Sequence, residues 1–312
     1  MAFESCKWGH AMKEIVPLLP PETHERMLFM AAADLDASVL LYKRRCYPQA
    51  VFLLQQSVEK ATKSFGMYFV GITEEEARSG KMIGHRSIRV FEHSCTRISD
   101  NIAEINNAVE ADPEMRLLAP LITPGLSQME AKIREIALDF HRTADGVDAN
   151  RDLPLDDLKE RIRMVEELEI GLQEAERKLA GEEQQEITFT GEEVASLKTD
   201  VHALLDPLYA GVPDHRRAVE RNIEGLIDLL NDRDYLQRVL GMAYDFIGAA
   251  SGFICLSTII QPHAVSARYP SGNFDPLEFY TRDRGLVRAL PALYRIAYRS
   301  MDRLYNLYGT YA

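Results

Sequence analysis

Residues 47–64 read YPQAVFLLQQSVEKATKS. Val51, Leu54, Val58, Ala61 and Phe65 follow one another at steps of three and four, the period of one helix face. Tyr47-Pro48 stops whatever precedes it, and Pro48 suits the first turn of a new helix expected to run to about Tyr68. At roughly 100° per residue, Gln55 flanks the apolar stripe, while Phe52, Gln56, Glu59 and Lys63 fall across the far side. A polar far side facing water is ordinary. A phenylalanine there, beside long hydrogen-bonding side chains, points to a second contact surface.

The same period recurs along the chain, and no run alternates like a strand, so the expected class is all-α. Met27 to Arg45 reads as a helix with Met30, Ala33 or Asp34, Ala37 and Leu41 in register. Ser87 to Val109 reads as another, with Ile88, Phe91, Ile98, Ile102 and Ile105 as core positions; Glu74 to Gly84 between them reads as a polar loop. In the last helix Val287, Leu290, Tyr294, Ala297, Met301, Leu304 and Tyr308 form one stripe, with Pro291 predicting a kink or a helix start.

At 312 residues, 46% hydrophobic and 27% charged, the composition is that of a globular protein. Residues 111–235 hold 29 acidic and 15 basic side chains, and the remainder 19 and 21, so the net −12 belongs to the middle. There Leu158, Ile162, Val165, Leu168, Leu172, Ala175 and Leu179 mark a long helix, and Thr190-x-x-Glu193 is a capping box opening another. With Ser127–Thr143 as its partner, the long helix forms either an arm-like hairpin or added bundle helices. Four scattered cysteines without a CxxC, and no signal-peptide pattern in residues 1–20, lead to an expectation of a cytoplasmic protein with reduced thiols. Val239 to Ile260 carries one charge, Asp245, and is long enough to span a bilayer. Its Gly, Ser and Ala content and its flanks instead predict a buried core helix and no membrane partner, with Gly248-x-x-x-Gly252 permitting close helix approach.

The segment AADLDASVLLYKRRCYPQAVFLLQQSVEKATKS, residues 32–64, resembles the HEPN domain, the higher-eukaryote and prokaryote nucleotide-binding module. Asp34-Leu35, Tyr47-Pro48, Ala50-Val51-Phe52, Gln55-Gln56, Glu59-Lys60 and Lys63 match the family's first two helices. His85 is placed to match the His that opens the third helix, and Arg268-Tyr269-Pro270 matches the Arg-Tyr-Pro after the fourth. The resemblance covers roughly residues 22–110 and 236–310. It implies an up-and-down helical bundle, usually dimeric, with a long helical insertion between its third and fourth helices where the family has a short connection. The expected organisation is therefore an N-terminal extension (1–21), bundle helices one to three (22–110), an acidic insertion (111–235) and helices four and five (236–312).

Family members that cut RNA resemble one another in an Arg-x4–6-His motif that needs no metal, with His as acid or base and Arg on the phosphate. Arg86 and His93 fit that spacing, although the motif's usual place is nearer the fourth helix. Arg295, Arg299 and Arg303 recur every four residues on the last helix, with Arg284 and Arg288 extending the row. Such a row holds phosphate bidentately, or faces solvent opposite the acidic insertion. Lys63, His85, Arg268, Tyr269, Arg295 and Arg299 are thus the candidate nucleotide- or RNA-binding residues, and Phe52, Gln55, Gln56 and Glu59 the candidate dimer interface. No phosphate loop, dinucleotide fingerprint or HExxH occurs, and His141, His202 and His215 are far apart in sequence, so neither a cofactor nor a metal is expected. Three readings follow. The first is a non-catalytic HEPN-type protein that binds nucleotide or RNA, homodimeric, paired with a nucleotidyltransferase in a toxin–antitoxin or defence system. The second is a metal-independent endoribonuclease toxin using Arg86 and His93, and the third a helical scaffold that binds no nucleotide.

Overall fold

The computed structural model describes residues 22–80, 82–111, 116, 119–146, 151–180, 190–208, 217, 221, 224–225, 227–229, 232–270 and 274–310. Among these the fold is all-α, with no strand. The helices are α1 (Thr23–Lys43), α2 (Tyr47–Val70), the short α3 (Glu74–Arg78), α4 (Arg89–Ala111), α5 (Ala119–Gly146), α6 (Leu155–Ala180) and α7 (Gly191–Leu208). Then come α8 (Arg233–Ile260), a 3-10 turn (Gln261–His263), α9 (Pro276–Phe279) and α10 (Gly285–Thr310).

The chain divides into two compact units. The first combines Met1–Ser94, Ala137–Glu166 and Gly248–Ala312; the second combines Cys95–Ile136 and Glu167–Ile247. The first unit takes in residues 137–166, which the sequence reading grouped with the acidic stretch.

In the first unit α1 and α2 pack along each other and α10 lies on both. Pro48 begins α2 and Gly71 ends it at φ 65°, a left-handed cap that glycine adopts without a Cβ clash. The α2 stripe Val51, Leu54, Val58, Ala61 and Phe65 is buried, as is the whole α10 stripe from Val287 to Tyr308. Small hydroxyl residues let the helices close up and then bond across the seam. Ser57 Oγ donates to Ala31 O (2.7 Å), Ser38 Oγ to Ala50 O (2.6 Å), and Ser64 Oγ meets Tyr308 Oη at 2.6 Å. Tyr298 Oη donates to Asp36 Oδ1 at 2.6 Å, and Lys60 forms an ion pair with Asp34.

The register expected for α1 is corrected by one position. Leu28, Ala31, Ala32, Leu35, Ser38 and Val39 are buried, whereas Met30 and Leu40 are exposed. The bulk of Met30 and Leu41 draws a sequence pattern toward them, yet Met30 is exposed and Leu41 only half-buried; close packing on α2 needs the smaller side chains, including a serine whose hydroxyl is bonded. In α4, Ile88, just ahead of the helix, is buried along with Phe91 and Ile102, while Ile98 and Ile105 are exposed. The 74–84 segment contains a helix, not only a loop: Thr73 and Glu76 form a capping box at its start. Helix α10 runs through Pro291 from Gly285, so neither a start nor an end occurs at that residue.

The apolar α8 meets α10 through its glycines. A Cβ at Gly248 would lie 2.4 Å from Arg303 Cδ, and one at Gly252 would lie 1.9 Å from Ser300 Oγ and 3.2 Å from Ser300 Cβ. Ser300 Oγ is held by Ile296 O at 2.9 Å, so it yields only by giving up that bond. Gly252→Ala is therefore expected to cost about 1–3 kcal/mol through overpacking. Gly241→Ala, in the same helix with nothing within 4 Å, is expected to gain up to about 1 kcal/mol. Urea midpoints of the two variants check the contrast; equal shifts would mean that the glycines play no packing role. Residues 234–263 contain an 18-residue stretch of mean hydropathy 1.6, and the helix is long and apolar enough to cross a membrane. Within the first unit, Ala249, Phe253, Leu256, Ile259 and Ile260 of this stretch are buried in the core.

The second unit carries the acidity, with 25 acidic and 12 basic side chains, net −13, so the first unit is +1. Its helices are tied by polar bonds: Arg134 Nε to Ser99 Oγ (3.0 Å), Asn106 Nδ2 to Ser127 Oγ (3.2 Å) and Lys198 Nζ to Asp228 Oδ1 (2.7 Å). The expected capping box opens α7: Thr190 N donates to Glu193 Oε2 at 2.7 Å and Glu193 N to Thr190 Oγ1 at 3.2 Å. Ile102, Leu172, Leu179 and Ile227 are buried there, while Ile136, Leu168 and Ile170 are exposed.

Candidate functional site

The polar residues of α2 are not a water-facing flank. Gln55, Glu59 and Lys63 are all buried, and they satisfy one another within the chain. Their spacing of four puts successive side chains one above the other on the helix. Lys63 Nζ donates to Glu59 Oε1 (2.8 Å), Gln55 Nε2 donates to Glu59 Oε2 (3.0 Å), and Gln56 Nε2 donates to Gln55 Oε1 (2.6 Å). The exposed His85 reaches over from the next loop, its Nδ1 3.1 Å from Glu59 Oε2. Burial alone pushes the Glu59 carboxyl up, but the Lys63 charge and the bonds from Lys63, Gln55 and His85 outweigh it. The carboxyl is held below the ordinary 4.5.

At the other end of the same helix, the turn after Gln261–His263 is wound by backbone bonds, including Ala267 N to His263 O (3.1 Å) and Arg268 N to Val265 O (3.0 Å). That winding sets Arg268 over the Phe52 ring, 4.7 Å from its centroid, and 5.2 Å from that of Tyr269. Arg268 and Tyr269 are exposed, and Phe52 is half-buried. The anchor role expected for Phe52 thus has a partner inside the chain: a guanidinium. An exposed arginine within 4.7 and 5.2 Å of two aromatic ring centroids offers a cation and stacking faces at one place.

The other candidates are distributed differently. Arg86 and Arg89 both reach Asp145 Oδ1 at 3.2 Å, and His141 bridges Glu92 (2.9 Å) and Asp145 (3.4 Å). Arg86 is thus paired with an exposed carboxylate, and among the described residues no bond joins it to His93, which is half-buried in α4. In the α10 row, Arg295 pairs with Glu166 at 2.9 Å and Arg284 with Asp152 at 3.4 Å. Arg288 and Arg299 are exposed, whereas Arg303 is buried against Gly248.

Sequence reasoning missed a further cluster. His263 is buried, with Nδ1 2.8 Å from Tyr280 Oη, which is itself 2.9 Å from Ser266 Oγ. Burial, and then the nearby Arg151 charge, lower the imidazole pKa to about 3, so it is neutral. Burial raises the Tyr280 hydroxyl to about 12. His263 stands five residues before Arg268, in a loop whose only sequence signal was the Arg-Tyr-Pro. Models of protein families, curated proteins and solved structures were all compared with this chain, and none matches it.

Proposed function

We propose that this chain is a HEPN-type helical bundle that binds a nucleotide or single-stranded RNA without cutting it, through the Phe52–Arg268–Tyr269 cluster. The observation that supports this reading is the exposed Arg268 guanidinium, 4.7 Å from one aromatic ring and 5.2 Å from another. A base stacks on an aromatic face whatever its identity, and a guanidinium grips phosphate in a fork; together they suit unpaired nucleotides more than a duplex. The first unit, which carries the cluster, is itself near neutral. The cleaving alternative draws less support, because Arg86 is paired to Asp145.

Fluorescence anisotropy with labelled single-stranded RNA and with ATP, each at two salt concentrations, tests the reading. Binding is expected to weaken with salt, as phosphate contacts demand. Phe52→Ala and Arg268→Ala are each expected to lose about 1–3 kcal/mol, the worth of one stacked base. RNA is expected to stay intact, and His93→Ala to change nothing. Absence of binding would leave the scaffold reading, and binding indifferent to both substitutions would overturn the Phe52–Arg268–Tyr269 assignment. Cleavage lost in His93→Ala would establish the nuclease instead.

A further inference from the structure

The turn and helices around His263 enclose a cavity of about 20 Å³, room for one water-sized group. Arg151, Arg284, His263 and Tyr280 line it, with Gly285 and Leu286 at the start of α10. Four features there favour a negatively charged oxygen. Two guanidiniums face one cavity, and each is steadied on a ring: Arg284 is 4.2 Å from the Phe279 centroid and Arg151 5.9 Å from that of Phe274. Asp152 also lines the cavity and pairs with Arg284 at 3.4 Å through exposed side chains, a weak contact that an anion can displace. Among the described residues Arg151 has no carboxylate partner. The first intrahelical bond of α10 runs from Arg288 N to Arg284 O, so the N–H groups of Gly285 and Leu286 have no acceptor within the helix. A Cβ on Gly285 would lie 3.3 Å from Leu155 N and Cα, so the positive ends of α6 and α10 adjoin.

The imidazole adds a polar atom to the cavity wall. His263 is 2% exposed and lines this cavity, yet only Nδ1 has a partner, the Tyr280 hydroxyl. Nε2 has none among the described residues and is not sealed off, so it is open to whatever enters the cavity. The acidic groups on the neighbouring elements do not fill that role. Besides Asp152, α6 brings Asp156 and Asp157 in its first turn, both exposed, and Asp156 bonds Lys159 at 3.0 Å.

We propose that this pocket binds a phosphate group, with one oxygen entering the cavity toward His263 Nε2 while Arg151 and Arg284 hold the others. A guanidinium fork matches phosphate geometry, and a cavity of this size admits one oxygen and leaves the rest of the group at the mouth. The phosphate comes either free or as the end of a nucleotide. This site is separate from the Phe52–Arg268–Tyr269 cluster and does not depend on it.

The test follows the His263 imidazole by NMR in the full chain while inorganic phosphate or AMP is added, ionic strength being held constant with chloride. A saturable shift of the His263 signals is expected with phosphate or with AMP. Arg151→Gln is expected to weaken the binding at least tenfold with an unchanged circular dichroism spectrum, since Arg151 is exposed. Arg268→Ala should leave it unaltered, which separates this site from the nucleotide reading above. Tighter binding of AMP assigns the pocket to a nucleotide end, and equal or tighter binding of inorganic phosphate assigns it to free phosphate. No movement of the His263 signals in the wild-type chain overturns the proposal, and so does equal affinity in Arg151→Gln.

Discussion

Lys63→Met is expected to destabilise the first unit by about 3–5 kcal/mol, the cost of stranding one partner of a buried ion pair. Glu59 and Lys63 are 2.8 Å apart, with both side chains about nine-tenths buried, and Gln55 donates into the same carboxylate. Without the ammonium, desolvation pushes the carboxyl up, and at neutral pH the fold must either strand the charge or take up a proton. The double variant Glu59→Leu/Lys63→Met removes both charges and is expected to regain most of that loss, because well-packed apolar replacements of buried pairs are often neutral or better. Urea unfolding of the wild type, both singles and the double gives the coupling energy. A single-site loss below about 1 kcal/mol would mean that the pair behaves as a hydrated surface bridge. Glu59 also sets a pH window. Its folded pKa lies below 4.5, so its contribution is complete above 4.5 and fades as pH falls beneath that value.

His263 works in a higher window with the same sign. Its folded pKa is about 3 against an ordinary 6.5, so below 6.5 the unfolded chain takes a proton that the native chain refuses. Stability is therefore expected to fall by about 1.4 kcal/mol per pH unit as pH drops below 6.5, roughly 3 kcal/mol by pH 4.5. The groups around the ring support neutrality: Tyr280 and the Ser266 bonded to it are uncharged, and the Arg151 charge opposes a further cation, with Asp152 paired to Arg284. Between pH 6.5 and pH 5, before carboxylates enter, His263→Gln should show a slope shallower by about 1.4 kcal/mol per unit. Parallel slopes for the variant and the wild type would show that the imidazole is hydrated and free to charge.

The helical class, the α2 stripe and the entire α10 stripe were legible because their large apolar residues keep strict three–four spacing. Helix α1 was misread by one position. Its buried face uses Ala31, Ala32 and Ser38, whose small size matters more at a close helix seam than their hydrophobicity. Burial of Glu59 and Lys63 was invisible for the opposite reason: each residue alone reads as solvent-facing, and only the four-residue ladder with Gln55 makes burial tolerable. The Phe52–Arg268 stack joins residues more than two hundred positions apart, though both ends were singled out separately. The His263 pocket left no local pattern, since Arg151 and Tyr280 reach it from opposite directions along the chain.

The first unit is stitched from three separate lengths of chain, and the hydroxyl of Tyr294 closes on Ser38 across 256 positions. During synthesis at about 5–20 residues per second, the paired N-terminal helices would wait on the order of 10–50 s for the strap that seals them. Throughout that interval their apolar faces would lie open on the ribosome, so a transcript cut short before residue 285 should yield chains that chaperones hold or proteases clear, not a smaller working bundle.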